Sequence, residues 1–160
     1  MFSDIIIIVL KNHNWRLDYY LQEKNPFYEV LFEKCEIIFY RNKNYSSIEC
    51  YLRPNDERLK NKDFSLSEIL KFKSIFLPDL LNNHSSVNEI KFLEQYISII
   101  FEYLLNELKG DFKIFYKIDE HDRNLALIQN KLNQTFVFET EIYKKMLKGD
   151  NSWKDDLDKF

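Results

Sequence analysis

Between Ser86 and Gly110 the apolar positions fall on two adjacent helical stripes. Ile90, Leu93, Ile97, Ile100, Leu104 and Leu108 recur at three- and four-residue steps, with Phe92, Tyr96, Ile99 and Tyr103 beside them. Only a narrow seam of Lys91, Glu94, Ser98, Glu102 and Asn106 stays polar. A helix apolar on most of its circumference is a buried one. The pattern therefore predicts a central helix near 87–109. Ser86 and Glu89 stand at capping-box spacing at its start, and Gly110 is placed to end it. Glu94, Glu102 and Glu107 exclude a membrane span, which needs about 20 predominantly apolar residues. The second stripe leaves two uses open, a place in the core or a homodimer interface.

The other elements follow from shorter patterns. Ile5 to Leu10 is an all-apolar run read as a buried strand or the first turns of a buried helix. "NWRLDYYLQEKNP" reads as a helix stopped by Pro26. "EIIFYR" (36–41) and "SSIECYLR" (46–53) read as an antiparallel hairpin. Ile48, Cys50 and Leu52 share its core face, and Glu49, Tyr51 and Arg53 share the other. Residues 54–63 are a charged loop. Ser65 and Glu68 repeat the capping spacing and open a helix through Phe76, with Pro78 kinking or ending it. "NNHSS" is a polar turn. "FKIFYKI" (112–118) alternates like a strand, "DEHDRN" reads as a charged turn with Asp122 capping a helix to about Leu132, and "TFVFET" as a short strand. "EIYKKMLKG" is a short helix ending at Gly149. Residues 150–160 form a loose acidic tail that Trp153 tethers. The sum is one domain over residues 1–160, of α+β class: a small, mostly antiparallel sheet packed on a helical layer around the central helix.

Composition narrows the function classes. The 160 residues carry 23 basic and 26 acidic side chains, a net charge of −3. That argues against a broad basic face for nucleic acid. Lys, Asn, Ile, Phe and Tyr are abundant and Ala, Gly and Arg scarce, the signature of AT-rich coding. Two glycines in the whole chain exclude a glycine-rich phosphate cradle, and no nucleophile elbow is present. The apolar N-terminal run has an acidic residue, Asp4, before it and no small-residue cleavage site after it. It does not read as a signal peptide, so a cytoplasmic protein is expected. Cys35 and Cys50 would face each other if the hairpin turned at Asn42-Lys43. The default for a cytosolic protein is two reduced thiols.

Three acidic patches are the candidate contact surfaces: Asp56 with Glu57, Asp119 to Asp122, and Asp155, Asp156 and Asp158. Acidic loops with tyrosines nearby suit docking to a basic partner, with Asp119, Glu120, Asp122, Asp56 and Glu57 as the charges and Tyr45 and Tyr51 as anchors. An enzymatic alternative rests on the Asp-x-Lys triplet Asp111–Lys113 at a strand start, with Asp79 or Glu107 as a further carboxylate, or on His121 among its acidic neighbours. Such residues would serve a metal-dependent nuclease or other hydrolase. His13 and His84 have no metal-ligand spacing. No cofactor or metal is expected.

These features together, a small acidic domain with AT-rich coding, no catalytic motif, and aromatic and acidic surface candidates, resemble the bacterial immunity proteins that neutralise toxins of contact-dependent inhibition and other polymorphic toxin systems. The resemblance is one of overall style along the whole chain and assigns no residue. It implies a cytoplasmic protein without catalysis that binds a cognate toxin domain, often a nuclease, as monomer or homodimer, with no membrane and no direct nucleic-acid contact.

Overall fold

The structure is a computed structural model. It describes residue 7 and residues 20–24, 27–42, 47–76 and 89–160. The expected element at Ile5–Leu10 lies outside the described residues except for Ile7, which is helical. Tyr45, Pro78, the "NNHSS" turn and Ser86 also lie outside them.

The chain divides into two compact units, Met1–Tyr116 and Lys117–Phe160, where the sequence led us to expect one domain. In unit 1 a five-stranded antiparallel sheet has the simple order β1-β2-β3-β4-β5. Its strands are β1 (Tyr20–Lys24), β2 (Phe27–Leu31), β3 (Cys35–Asn42), β4 (Ser47–Pro54) and the two-residue β5 (Phe64–Ser65). The expected hairpin is β3–β4, and its alternation is as read. Ile48, Cys50 and Leu52 are buried while Glu49 is exposed.

Four strand readings need correction. Residues 20–24 are a strand, not the end of a helix. Lys24 pairs with Phe27, so β1 and β2 run antiparallel where a helix was expected, and Pro26 itself lies outside the described residues. Local helical spacing loses there to pairing with β2, which is itself paired with β3. The β3–β4 register places Cys50 opposite Phe39 and Cys35 opposite Pro54. The two thiols are thus four positions out of register, and both are free and buried. Residues 112–118 begin a helix. A strand there would need a neighbour to satisfy its backbone, whereas the helix satisfies its own. The apparent alternation also hides a three-residue spacing, and it is Phe115 and Ile118 that are buried. Finally, 135–140 is a turn, closed by the Thr140 amide and hydroxyl donating to the Val137 carbonyl.

The helices of unit 1 are α1 (Leu66–Phe72), α2 (Glu89–Tyr103), α3 (Leu105–Leu108) and the first turn of α4 (Lys113–Leu132). Ser65 caps α1 by accepting from the Glu68 amide at 3.2 Å, as the capping spacing predicts. The helix stops at Phe72, short of the expected Phe76. Ser74 takes a left-handed φ of 58°, and the Ile75 amide reaches back to the Leu70 carbonyl at 2.9 Å. The central helix is present but breaks at Leu104 (φ −122°, ψ 16°). Gly110 ends α3 with a φ of 112°, a conformation that side chains disfavour.

Most of both stripes of the central helix lies in the core. Leu93, Ile97, Ile100 and Leu104 are fully buried, and so nearly are Phe92, Tyr96 and Ile99. The Tyr96 hydroxyl donates to the Ile48 carbonyl at 2.7 Å, fastening α2 to β4, and burial pushes its pKa up. Phe115 closes the layer against Phe64, ring centroids 4.9 Å apart. Phe92, Tyr96 and Ile99 of the second stripe are therefore covered by the chain itself, while Tyr103 at its end is half-buried.

Unit 2 comprises the rest of α4 with α5 (Glu141–Leu147) and α6 (Ser152–Asp158). Its core is Ile128, Val137, Ile142, Tyr143, Trp153 and Leu157, with Leu125, Leu132 and Met146 packed against it. The expected loose tail is α6, pinned by Trp153 and Leu157. Trp153 tethers it, as read.

Candidate functional site

The acidic run Asp119 to Asp122 is not a turn. It lies inside α4, and Asp122 is a mid-helix residue rather than a cap. This placement decides what surrounds it. His121, Leu125, Ile128 and Leu132 follow at helical steps, so the ring of His121 extends the stripe that packs on α5. The His121 and Tyr143 rings meet edge to face at 6.2 Å, and Tyr143 meets Phe138 in the same way at 5.1 Å. The Tyr143 hydroxyl lies 3.3 Å from His121 Nε2, and Asp122 Oδ1 lies 3.5 Å from Nδ1. A carboxylate only accepts, so in the neutral ring Nδ1 carries the proton and Nε2 accepts the Tyr143 hydroxyl. Desolvation raises the Tyr143 pKa above its ordinary value, keeping that hydroxyl a donor.

The result is a continuous face: Asp122, His121, Tyr143 and Phe138. Tyr143 is buried at 8 % exposure, and Phe138 at 47 % stands over it in the open. Phe136, one step along the same turn, is 84 % exposed. Glu120 is exposed, and Asp119 pairs with Arg123 at 3.1 Å along the helix. The aromatic half of this face was missed because "TFVFET" reads as a strand. The usable signal was Thr140, whose hydroxyl accepts from the Tyr143 amide at 3.3 Å and caps α5, ending any extended run before it.

Asp56, Glu57, Tyr45 and Tyr51 belong to unit 1, and the third acidic patch to unit 2. Asp56 is engaged internally. Its carboxylate accepts from the Arg58 amide at 2.9 Å, from the Arg58 guanidinium at 3.4 Å and from the Tyr116 hydroxyl. Glu57 is exposed. Tyr51 is half-buried and donates to Glu49 at 2.7 Å, a bond that, with burial, pushes its pKa up to about 12. Tyr45 lies outside the described residues. In the third patch, bonds from Lys145 and Lys159 hold the Asp156 carboxyl below its ordinary range.

Of the residues suggested for an enzyme, Asp111, Lys113 and Glu107 have local structural roles. Asp111 accepts from the Lys113 amide at 3.3 Å and so starts α4, with no strand under the triplet. Glu107 is buried, its Oε1 accepting from Lys73, whose ammonium also donates to the Tyr103 carbonyl at 2.8 Å. Asp79 lies outside the described residues. Among the described residues no group of three or more His, Cys, Asp or Glu is placed to hold a metal ion. No helix among them is long and apolar enough to cross a membrane. No family model, curated protein or solved structure matches the chain.

Proposed function

We propose that the chain is a binding protein that neutralises a cognate toxin by direct contact, without catalysis, in the bacterial cytoplasm. The contact surface is the α4–α5 face of unit 2. The observation that carries this reading is the exposed Phe138 over a buried Tyr143, joined through His121 to the acidic turn of α4. An aromatic anchor supported from beneath and flanked by charge is the anatomy of a protein-contact hot spot. Contiguous exposed apolar patches rimmed by polar residues mark interaction sites.

The test combines capture and neutralisation. The tagged chain is used to isolate its partner from the native host, and the purified partner is assayed for toxicity with and without the chain. Charge reversal at Asp119, Glu120 and Asp122 is expected to abolish protection while far-ultraviolet circular dichroism stays unchanged. A folded triple variant that protects as well as the parent would remove this face from the interaction. A partner whose toxicity the parent chain does not reduce would remove the neutralising role.

A further inference from the structure

The central helix breaks at Leu104, although Glu89 to Leu108 contains neither proline nor glycine. Leu104 itself keeps both its bonds. Its amide donates to the Ile100 carbonyl at 2.8 Å, and its carbonyl accepts from the Leu108 amide at 3.2 Å. A rung from Tyr103 to Glu107, next to the one from Leu104 to Leu108, would enclose Leu104 in the helix. Leu104 lies outside both helices, so the Tyr103–Glu107 rung is missing. The Tyr103 carbonyl accepts from Lys73 Nζ at 2.8 Å, and the same ammonium donates to Glu107 Oε1. A side chain that enters the hydrogen-bond ladder is one of the few causes of a sharp break in a helix.

The sequence explains why a lysine is drawn in. Glu107 follows Ile100 by seven residues and Leu104 by three, so helical spacing carries its carboxylate onto the buried side. A buried carboxylate needs a cation beside it. Lys73 supplies one from the end of α1, where its own amide is fixed to the Ile69 carbonyl at 3.0 Å. Tyr103 and Glu107 are four residues apart and so neighbours on one helical face. An ammonium that meets the carboxylate therefore also reaches the carbonyl. We infer that the Lys73 ammonium is a wedge that holds the central helix open at Leu104. With the wedge in place, α2 and α3 are two helices; without it, they close into one. The break sets the course of α3, which leads through Gly110 into α4. The device is independent of the face proposed for the partner.

The test removes the ammonium and reads the missing rung directly by NMR of the full chain. Lys73→Met takes away the wedge but leaves the Glu107 carboxylate buried without its cation. Lys73→Met with Glu107→Gln removes that charge as well, keeps the length of the side chain, and is the variant that decides the question if Lys73→Met alone does not fold. In the parent, no coupling across a hydrogen bond is expected between the Tyr103 carbonyl carbon and the Glu107 amide nitrogen. In the variants that coupling should appear, and the Leu104 α-carbon should shift downfield into the helical range. The coupling between the Leu104 carbonyl and the Leu108 amide, whose rung is already made, should be present throughout. A Tyr103–Glu107 coupling already present in the parent would overturn the inference. So would a folded variant in which the coupling stays absent and the Leu104 signal stays where it was, since the break would then belong to the helix and not to Lys73.

Discussion

The two units of the chain treat their large apolar residues in opposite ways. In unit 1, Phe39, Phe64, Phe115, Leu93, Ile97 and Ile100 have no exposed surface, and Phe76 is the one strongly exposed large apolar side chain among its described residues. Unit 2 is far smaller. Its core cluster holds six buried residues, yet it leaves Leu127, Phe136, Phe138, Leu147 and Phe160 about half or more exposed. A small unit has too little interior to hide every apolar group. That alone does not explain why the exposed ones include two phenylalanines in a single turn beside a buried tyrosine and an acidic helix. The comparison separates a unit whose apolar residues make a core from one whose apolar residues also make a surface.

The largest effect expected from breaking that contrast lies in unit 1. Phe115→Ala removes a fully buried ring in contact with Phe64 and should cost about 3–5 kcal/mol in urea unfolding. A loss below about 1 kcal/mol, the ordinary scale of a surface change, would show that α4 does not close the core of unit 1.

The buried thiols report on the same core. Desolvation pushes the Cys35 pKa from 9.0 up to about 12 and raises Cys50 as well. The folded state therefore holds these protons more tightly than the unfolded chain. Their contribution to stability is complete below about pH 9 and falls as pH rises toward 12. Both thiols should resist a disulfide reagent at pH 8 and react together once urea unfolds the chain. Fast modification of the native protein would place them outside the core.

How much of this was legible in the sequence depended on whether a pattern was complete within its own element. The β3–β4 alternation, the double stripe of α2 and the Ser65–Glu68 cap each contain their full explanation locally, and each is present. Residues 20–24 and 112–118 do not. The first became a strand because β2 stood ready to pair with it. The second became a helix because no strand was available and Phe115 and Ile118 share a helical face. That second misreading hid the candidate surface, since His121 meets Tyr143 from inside a helix. The three acidic patches were visible, but sequence could not tell that Asp56 is consumed by Arg58 and Tyr116 whereas Glu120 is exposed.

A third change tests Glu107, which with Glu29 is one of two carboxylates buried among the described residues of unit 1. Glu107 is 5 % exposed, and among the described residues its Oε2 has no hydrogen-bond partner. Lys73→Met strips the other oxygen as well and should cost about 3 kcal/mol, the scale for orphaning one member of a buried pair. Adding Glu107→Leu should recover most of that loss, because the costly species is the lone carboxylate. A double variant no more stable than Lys73→Met would show that the lysine acts through its bond to the Tyr103 carbonyl.

Smaller still is the cap that holds the surface of unit 2 in place. Thr140→Ala removes the acceptor for the Tyr143 amide and should cost about 1 kcal/mol. Thr140→Ser keeps the oxygen and should retain most of that. Because the same residue closes the turn bearing Phe138, the alanine variant should also broaden the Phe138 ring signals. Unchanged signals would mean that the turn is held by Val137 burial alone.

The smallest effect expected is the sharpest statement of the contrast. Phe136→Ala deletes a whole ring, as Phe115→Ala does. At 84 % exposure that ring has almost no buried surface to lose. Its removal should shift stability by less than about 0.5 kcal/mol, the range of ordinary surface changes, and reduce binding of a hydrophobic dye to the native chain. A cost of 2 kcal/mol or more would mean that Phe136 is covered in solution, by another part of the chain or by a second copy. Sedimentation of the parent and the variant over a range of concentrations separates those cases, since only a second copy makes the difference concentration-dependent. A stable, monomeric variant that no longer protects against the partner would place Phe136 beside Phe138 as an anchor of the contact rather than a remnant of a core too small to hold it.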